Sequence, residues 1–219
     1  MDLTTMLQWL LEDGLPNTLL LTVVTLIVGF IIGFPVALLR AYGNLPLRIL
    51  ATYYERIIRS IPPLVLILIF YFSLPKIGIS FPPFEAASFA LGIHSSAYQS
   101  QIFRGAIESI PRGQMLAARS IGMSKIKAIR YVILPQALRL AIPSWSNEVA
   151  VVTKQTSFAF TVGVVELMRV AENIRIVSLQ PLPAFLLCAM IYFVTILALT
   201  RGLGYIGNKL KIPGLGGGA

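Results

Sequence analysis

Polar side chains that could bind a small solute lie inside two otherwise apolar stretches of the chain. The first, residues 86–103, carries no charged residue but has a polar centre that includes Tyr98 and Gln101. The second, residues 141–165, contains the acid Glu148 and the base Lys154. Such groups are costly inside a hydrophobic stretch, so they usually face protein or water and mark candidate functional positions.

In the second stretch the polar residues share one side of a helix. Asn147 and Lys154 follow helical spacing, and Glu148 and Gln155 form the neighbouring stripe. This wide polar face fits a transport pathway. It fits equally well an ion pair that holds helices together, although Glu148 and Lys154 are not spaced to face each other within one helix. The residues alone leave both interpretations open.

No pattern typical of an enzyme occurs in the chain. It lacks the glycine-rich phosphate-binding loop of ATPases, so it is not expected to hydrolyse ATP itself. It also lacks HExxH, CxxC and GxSxG. Cys188 is the sole cysteine and His94 the sole histidine, so no disulfide framework or metal site is expected. We therefore predict a non-enzymatic protein with no metal or cofactor of its own.

The longest interruption of the apolar sequence is a basic segment, residues 104–139, which reads RGAIESIPRGQMLAARSIGMSKIKAIRYVILPQALR. Pro111 suits a first helical turn, Gly122 a C-terminal cap and Ser124 the N-terminal cap of a second helix. Leu134–Pro135 should end that second helix. A basic segment between two membrane spans belongs on the cytoplasmic side. The same signals also fit an amphipathic helix lying on the membrane surface.

The composition indicates an integral membrane protein. Hydrophobic residues make up 56% of the 219 residues and charged residues only 12%, against about 25% in a soluble domain. We predict an all-α fold that forms a single domain, residues 1–219. The five predicted transmembrane helices cover residues 15–39, 52–74, 86–108, 141–165 and 184–203, and a cytoplasmic loop covers residues 109–139.

Charge bias predicts the orientation of these spans. Residues 1–13 contain acids but no base, whereas most Lys and Arg residues fall in segments 40–59, 104–139 and 201–219. Because basic segments stay on the cytoplasmic side, we place the N-terminus outside and the C-terminus in the cytoplasm. The net charge of +9 then reflects membrane orientation and indicates no nucleic-acid partner.

Two local features concern the first two spans. Gly29 and Gly33 form a small-residue face that predicts close packing against another helix. Pro62 and Pro63 fall inside the second predicted span, where neighbouring helices are expected to satisfy the freed backbone carbonyls.

The basic segment resembles the EAA loop of ATP-binding-cassette importer permeases. LAARSIG at residues 116–122 and VILP at residues 132–135 keep the spacing of that motif, with Leu116 in place of the usual Glu. Further segments resemble, in order, the polar amino-acid branch of the same family: TLLLTVVTLIVGFIIGFPVALLR, YYERIIRSIPPLVLILIFYFSLP, AYQSQIFRGAI and LPQALRLAIPSWSNEVAVVTKQTSFAF. Gln101 also replaces a usual Glu. Together these segments cover nearly the whole chain.

The resemblance implies a multi-pass permease of a prokaryotic cytoplasmic membrane that moves a polar amino acid by alternating access. It implies three protein partners besides the lipid bilayer. These are a second permease, either a copy or a paralogue, an ATPase subunit that holds ATP and magnesium, and an extracytoplasmic substrate-binding protein. A coupling helix is expected to dock on the ATPase through Leu116, Ala117, Ala118, Arg119, Gly122 and Met123.

The same resemblance assigns solute contacts to the polar residues of the two stretches. They are Tyr98, Gln101, Asn147, Glu148, Lys154, Thr156 and Ser157. Glu148 is expected to pair with an amino group, and Thr156 and Ser157 to bind a carboxylate. Two other functions share these features. An ion-gradient-driven secondary transporter for a small polar solute would need no ATP, and a membrane scaffold would show no solute uptake.

Overall fold

All regular secondary structure in residues 1–210, the part of the chain that the computed structural model describes, is helical. The predicted cytoplasmic C-terminus lies outside the described residues. The α-helices are α1 Leu3–Trp9, α2 Leu15–Tyr42, α3 Leu45–Ser60, α4 Pro63–Leu68, α5 Pro83–Glu108, α6 Arg112–Ser120, α7 Lys125–Ala128, α8 Leu134–Gln155, α9 Leu167–Ser178 and α10 Pro181–Lys209. Wider π-helical turns occupy Leu10–Gly14, Ile69–Ser73 and Ile129–Ile133, and 3₁₀ turns occupy Leu74–Ile77 and Thr156–Val162.

Two helices of the described part are long and apolar enough to cross a membrane. One is the continuous helix Leu3–Tyr42, in which a π-helical turn joins α1 to α2, and the other is α10. The first has 40 residues, about 60 Å at 1.5 Å per residue, and so extends well beyond the predicted span 15–39. Leu45–Ser60 and Pro63–Ile77 add a third span if this bent pair crosses as one unit. The predicted all-α architecture is confirmed for the described residues.

The predicted span 52–74 is not one straight helix. α3 ends at Ser60, and the helical segment that follows is bent from it by 96°. Ile61 adopts an extended backbone with φ −89° and ψ 127°, as expected for a residue that precedes a proline. The two consecutive prolines therefore break the helix rather than being absorbed into it.

α2 and α5 pack at very short distance through the glycines of α2, as the small-residue face predicts. A Cβ atom on Gly29 would lie 2.4 Å from Gln99 Nε2, and one on Gly33 would lie 2.5 Å from the Ser96 carbonyl oxygen. Because no side chain larger than hydrogen fits at either position, these glycines set the distance between the two helices. α5 thereby becomes a largely buried helix against which the others pack.

The basic loop contains the two predicted helical segments, α6 and α7, but the second does not end where the sequence suggests. Gly122 has φ +86° and follows α6, and Ser124 caps α7 by accepting from Lys127 N, so both predicted caps are confirmed. The predicted stop at Leu134–Pro135 is wrong. A π-helical turn over Ile129–Ile133 leads directly into α8. Pro135 then occupies the first turn of α8, where its missing N–H costs little.

Candidate functional site

A buried hydrogen-bond network joins α5 to α8. Ser95 Oγ donates to the Glu148 carboxylate at 2.7 Å, and Gln99 Nε2 donates to Ser95 Oγ and to the Leu26 carbonyl, both at 3.1 Å. Trp145 Nε1 donates to Gln99 Oε1 at 3.0 Å. Glu148 is only 6% exposed. Its carboxylate therefore links two helices, and the partner that holds it is Ser95 rather than a lysine.

A second network, which we name the Glu55 network, joins α2, α3 and α5. Glu55 is 2% exposed and accepts from Arg40 Nη1 at 2.7 Å, Arg59 Nη1 at 2.8 Å and Gln101 Nε2 at 2.7 Å. Arg104 Nη2 donates to Gln101 Oε1 at 3.0 Å. A buried carboxylate is tolerated only when it is paired and hydrogen-bonded, and these donors meet that need. Both ends of the Gln101 amide are consequently occupied by protein groups.

Tyr98 lies beside the Glu55 network and is half-buried. The guanidinium of Arg59 stacks over its ring at 4.9 Å from the centroid, and the ring of the buried His94 lies 5.1 Å away. The Arg59 side chain is 41% exposed. An aromatic face and part of a guanidinium are therefore accessible together near the break between α3 and α4.

An open groove of about 790 Å³ runs between the end of α8 and α10. Lys154 and Ser157 form its polar part, and Phe185, Tyr192 and Phe193 contribute to an apolar and aromatic lining. Lys154 is exposed and belongs to no ion pair within residues 1–210. The groove thus combines one accessible ammonium group with apolar walls, as small-molecule sites commonly do.

The other predicted solute residues of α8 and its following turn differ in accessibility. Thr156 is fully buried and its hydroxyl donates to the Thr153 carbonyl at 2.7 Å. Ser157 is half-buried and its hydroxyl donates to the Lys154 carbonyl at 2.7 Å, which leaves its oxygen lone pairs for an outside donor. Asn147 is exposed. The structure therefore places Lys154 and Ser157 in one groove but does not gather all the predicted residues into a single site.

Sequence reasoning did not select four residues that organise these networks: Glu55, Arg59, Ser95 and Gln99. The signal for the first two was an acid and a base one helical turn apart inside a predicted span. Ser95 and Gln99 show the same spacing on α5. In each pair the side chains contact each other and also reach a neighbouring helix.

The loop helices present apolar side chains to solvent. Leu116, Ile121 and Ile126 are all largely exposed, and a group of exposed apolar side chains is typical of a protein-contact surface. Ile121 and Ile126 were not among the predicted ATPase contacts.

The remaining predicted docking residues lie at the end of α6 and differ in their exposure. Ala117, Arg119 and Gly122 are exposed, whereas Met123 is half-buried and Ala118 is buried. The Met123 N–H donates to the Ala118 carbonyl at 3.2 Å, which is the closure expected around a left-handed glycine. Ala118 therefore belongs to the closed turn that ends α6, and its exposed neighbours form the surface.

Glu166 joins the start of α9 to α10. Its carboxylate accepts from the backbone N–H groups of Met168 and Arg169, both at 2.8 Å, which caps α9. It also accepts from the Tyr192 hydroxyl at 2.9 Å. The residue lies outside the predicted spans and is fully buried. Burial raises the pKa of its carboxyl to about 7, although the three donors favour the ionised form.

The sequence and the fold both match known transport proteins. The family model described as binding-protein-dependent transport system inner membrane component matches residues 26–212. The probable glutamine ABC transporter permease protein GlnM of Bacillus subtilis (strain 168) is 35% identical over 199 residues, which cover 91% of this chain and 92% of the relative. The histidine/lysine/arginine/ornithine transport system permease protein HisM of Escherichia coli (strain K12) is 34% identical over 191 residues, 83% of this chain and 80% of HisM.

A solved structure agrees with these matches. The crystal structure of an amino acid ABC transporter with histidines has a chain that superposes with a TM-score of 0.85 at 33% identity. The superposition covers 95% of this chain and 99% of that chain.

Proposed function

The chain belongs to the family of binding-protein-dependent transport system inner membrane components, and we propose that it carries a polar amino acid through an ATP-binding-cassette importer by alternating access. The observation that carries this conclusion is the alignment with an amino-acid permease over 91% of the chain. The chain is the permease subunit, ATP is hydrolysed by a separate subunit, and the permease is not itself an enzyme. The same relatives favour this function over an ion-gradient-driven transporter.

The proposed topology has five crossings, made by α2, by α3 with the bent segment Pro63–Ile77, and by α5, α8 and α10. The N-terminus is then outside, and loop 109–139 and the C-terminus are cytoplasmic. The burial of polar side chains on α5 and α8 supports these two helices as crossings. Their buried polar groups, such as Ser95 and Glu148, bond to one another and so avoid lipid, where they would be costly.

The solute is proposed to contact the accessible members of the predicted set: Tyr98, Asn147, Lys154 and Ser157. The other three, Gln101, Glu148 and Thr156, form hydrogen bonds within the protein. In this proposal they stabilise the helix packing and do not bind the solute. The importer moves solute in one direction only if its inward and outward states bind that solute with different affinity. Accessible groups on α5 and α8 suit this requirement because they can change partners as the helices move.

Three partners complete the importer in this proposal. A second permease, either a copy or a paralogue, encloses the pathway, and a binding protein delivers the solute from outside. An ATP-binding-cassette ATPase, which holds ATP and magnesium, docks on α6 and its neighbours. The exposed apolar side chains Leu116, Ile121 and Ile126 suit an apolar groove on that ATPase.

The partners can be identified by purifying the chain in mild detergent from its native membrane and analysing the co-purified proteins by mass spectrometry. We expect a stoichiometric partner with a phosphate-binding loop, with or without a second type of permease. A pure permease with no ATPase would contradict the proposed assembly and return the ion-gradient-driven transporter to first place.

Gly122→Arg tests the docking surface directly. Gly122 has φ +86° and nothing lies within 4 Å of a Cβ built on it, so the substitution costs about 1–2 kcal/mol of backbone strain and places a long cation on the surface. We expect ATP-driven uptake to fall at least tenfold while the protein remains inserted.

Gly78→Arg is the matched control for this variant. Gly78 also has φ +86° and open space around it, but it lies in the predicted outer loop. The two variants therefore have the same backbone strain and differ in the side of the membrane on which the new arginine is proposed to lie. Equal loss of uptake in both, or normal coupling in Gly122→Arg, would refute docking at α6.

A further inference from the structure

The acids and bases of the helical body differ in how far a solute can reach them. Three acids are buried there, namely Glu55, Glu148 and Glu166, with exposures of 2%, 6% and 0%. Each already accepts hydrogen bonds from protein donors. The remaining acids of residues 1–210 do not line the groove between α8 and α10. Glu12 and Asp13 lie in the π-helical turn before α2, Glu172 lies within α9 and pairs with Arg175, and Asp2, Glu85 and Glu108 lie at helix ends.

The bases show the opposite arrangement. Lys154 is exposed in the groove between α8 and α10 and forms no ion pair within the described residues. The Arg59 side chain is 41% exposed and gives only part of its guanidinium to Glu55. Lys154 is the charged residue among the described residues that line the groove, so the charge offered to a solute there is positive.

Resting on the proposed function, we propose that the groove binds the α-carboxylate of a neutral or acidic amino acid at the Lys154 ammonium and disfavours amino acids with a cationic side chain. A carboxylate on an ammonium forms a short, charge-assisted hydrogen bond. The Ser157 oxygen, whose proton is given to the Lys154 carbonyl, can accept from the solute's α-ammonium.

A cationic side chain finds no carboxylate among the residues that line the groove. To pair with one, Glu55 would first have to give up donors that include two arginines, which would then lose their acceptor. Glu148 is 6% exposed, accepts from Ser95 and does not line the groove. The apolar and aromatic walls of the groove, including Met168 and Phe193, also offer no acceptor charge. GlnM is named for glutamine, whereas HisM is named for histidine, lysine, arginine and ornithine. Family membership alone therefore does not determine whether the side chain of the solute is neutral, acidic or basic.

Direct binding to the assembled transporter tests the proposal. The permeases with their ATPase are placed in nanodiscs of phosphatidylcholine, without binding protein, and equilibrium binding of radiolabelled L-glutamine, L-glutamate and L-arginine is measured. We expect L-arginine to bind at least tenfold more weakly than the other two. Lys154→Gln should weaken L-glutamine and L-glutamate binding by about tenfold, the loss of one charge-assisted hydrogen bond.

Two further variants separate charge from folding. Lys154→Arg keeps the positive charge and should retain most of the binding. Lys76→Gln removes another exposed lysine, far along the chain in the 3₁₀ turn after α4, and should bind all three amino acids as the wild type does.

Several results would overturn the assignment. These are L-arginine binding as tight as that of L-glutamate, no binding of any of the three, or unchanged binding in Lys154→Gln. A Lys154→Gln variant that loses only co-purified anionic lipid would assign the lysine to a lipid headgroup instead. Failure of the proposed function would look different, as an absence of ATP-driven uptake of any amino acid when binding protein and ATP are supplied.

Discussion

Replacement of Arg40 tests whether one buried ion pair holds the Glu55 network together. Arg40 Nη1 lies 2.7 Å from the Glu55 carboxylate, and the two side chains are 11% and 2% exposed. Removing one partner of a buried pair costs about 3–5 kcal/mol because the other charge stays buried. In Arg40→Gln the carboxylate keeps its bonds from Arg59 and Gln101, so we expect a loss at the lower end, about 3 kcal/mol.

Arg59→Gln is the matched control, since Arg59 contacts the same carboxylate at nearly the same distance. Its nitrogen lies 2.8 Å from Glu55, but its side chain is 41% exposed and one helical turn away. Such solvated pairs contribute about 0.3–0.5 kcal/mol, and the stacking on Tyr98 adds a similar amount. We therefore expect Arg59→Gln to cost about 1 kcal/mol.

The measurement is the free energy of unfolding of the purified permease in mild detergent titrated with sodium dodecyl sulfate. A third variant, Arg40→Gln with Glu55→Gln, removes both charges and should be more stable than Arg40→Gln alone, because no uncompensated charge remains buried. The reasoning is refuted if Arg59→Gln is as destabilising as Arg40→Gln. It is also refuted if the free energy of unfolding lost in the double variant equals the sum of the losses in Arg40→Gln and Glu55→Gln measured singly.

Two further predictions concern packing and pH. Gly33→Ala would place a Cβ 2.5 Å from the Ser96 carbonyl oxygen and should cost about 1–3 kcal/mol through overpacking. A Cβ on Gly204 would have no atom within 4 Å, so Gly204→Ala should be neutral or stabilising by up to about 1 kcal/mol. The thermal unfolding temperatures of the two glycine variants test this difference. Burial raises the pKa of Glu166 from 4.5 to about 7, so the stability this group contributes is complete below pH 4.5 and is lost as the pH rises through 7. Between about pH 5 and pH 8 the unfolding temperature should fall more steeply in the wild type than in Glu166→Gln; parallel curves would contradict the burial effect.

Local signals in the sequence predicted local structure well. Gly29 and Gly33 predicted the close approach of α2 to another helix, and Gly122 and Ser124 predicted the turn between the loop helices. Each of these residues acts through its own backbone or its nearest neighbours. The bend after Ser60 could not be predicted in the same way, because consecutive prolines are compatible with either a kinked span or a broken one.

The candidate site was harder to predict because its residues are arranged by contacts between distant segments. The polar stripe on α8 predicted that Glu148 and Lys154 face protein or water. It did not predict which of the two contacts another helix. The partner of Glu148 is Ser95 on α5, and the partner of Glu55 is Arg40 on α2. Helical periodicity shows which residues share a face but not which neighbouring helix packs against that face. Only the packing of the helices makes the two acids buried and leaves Lys154 exposed.

The arrangement of α5 indicates how a movement of α6, the proposed ATPase contact, would reach the packed helices. α5 is one unbroken helix that ends at Glu108, and only a short buried link at Ile110 separates it from α6. Its last turns are tied to α3 through Gln101, which bonds both Glu55 and Arg104, and its middle is fixed to α2 at the glycine contacts. A displacement of α6 therefore moves α2, α3 and α5 together more readily than it bends α5.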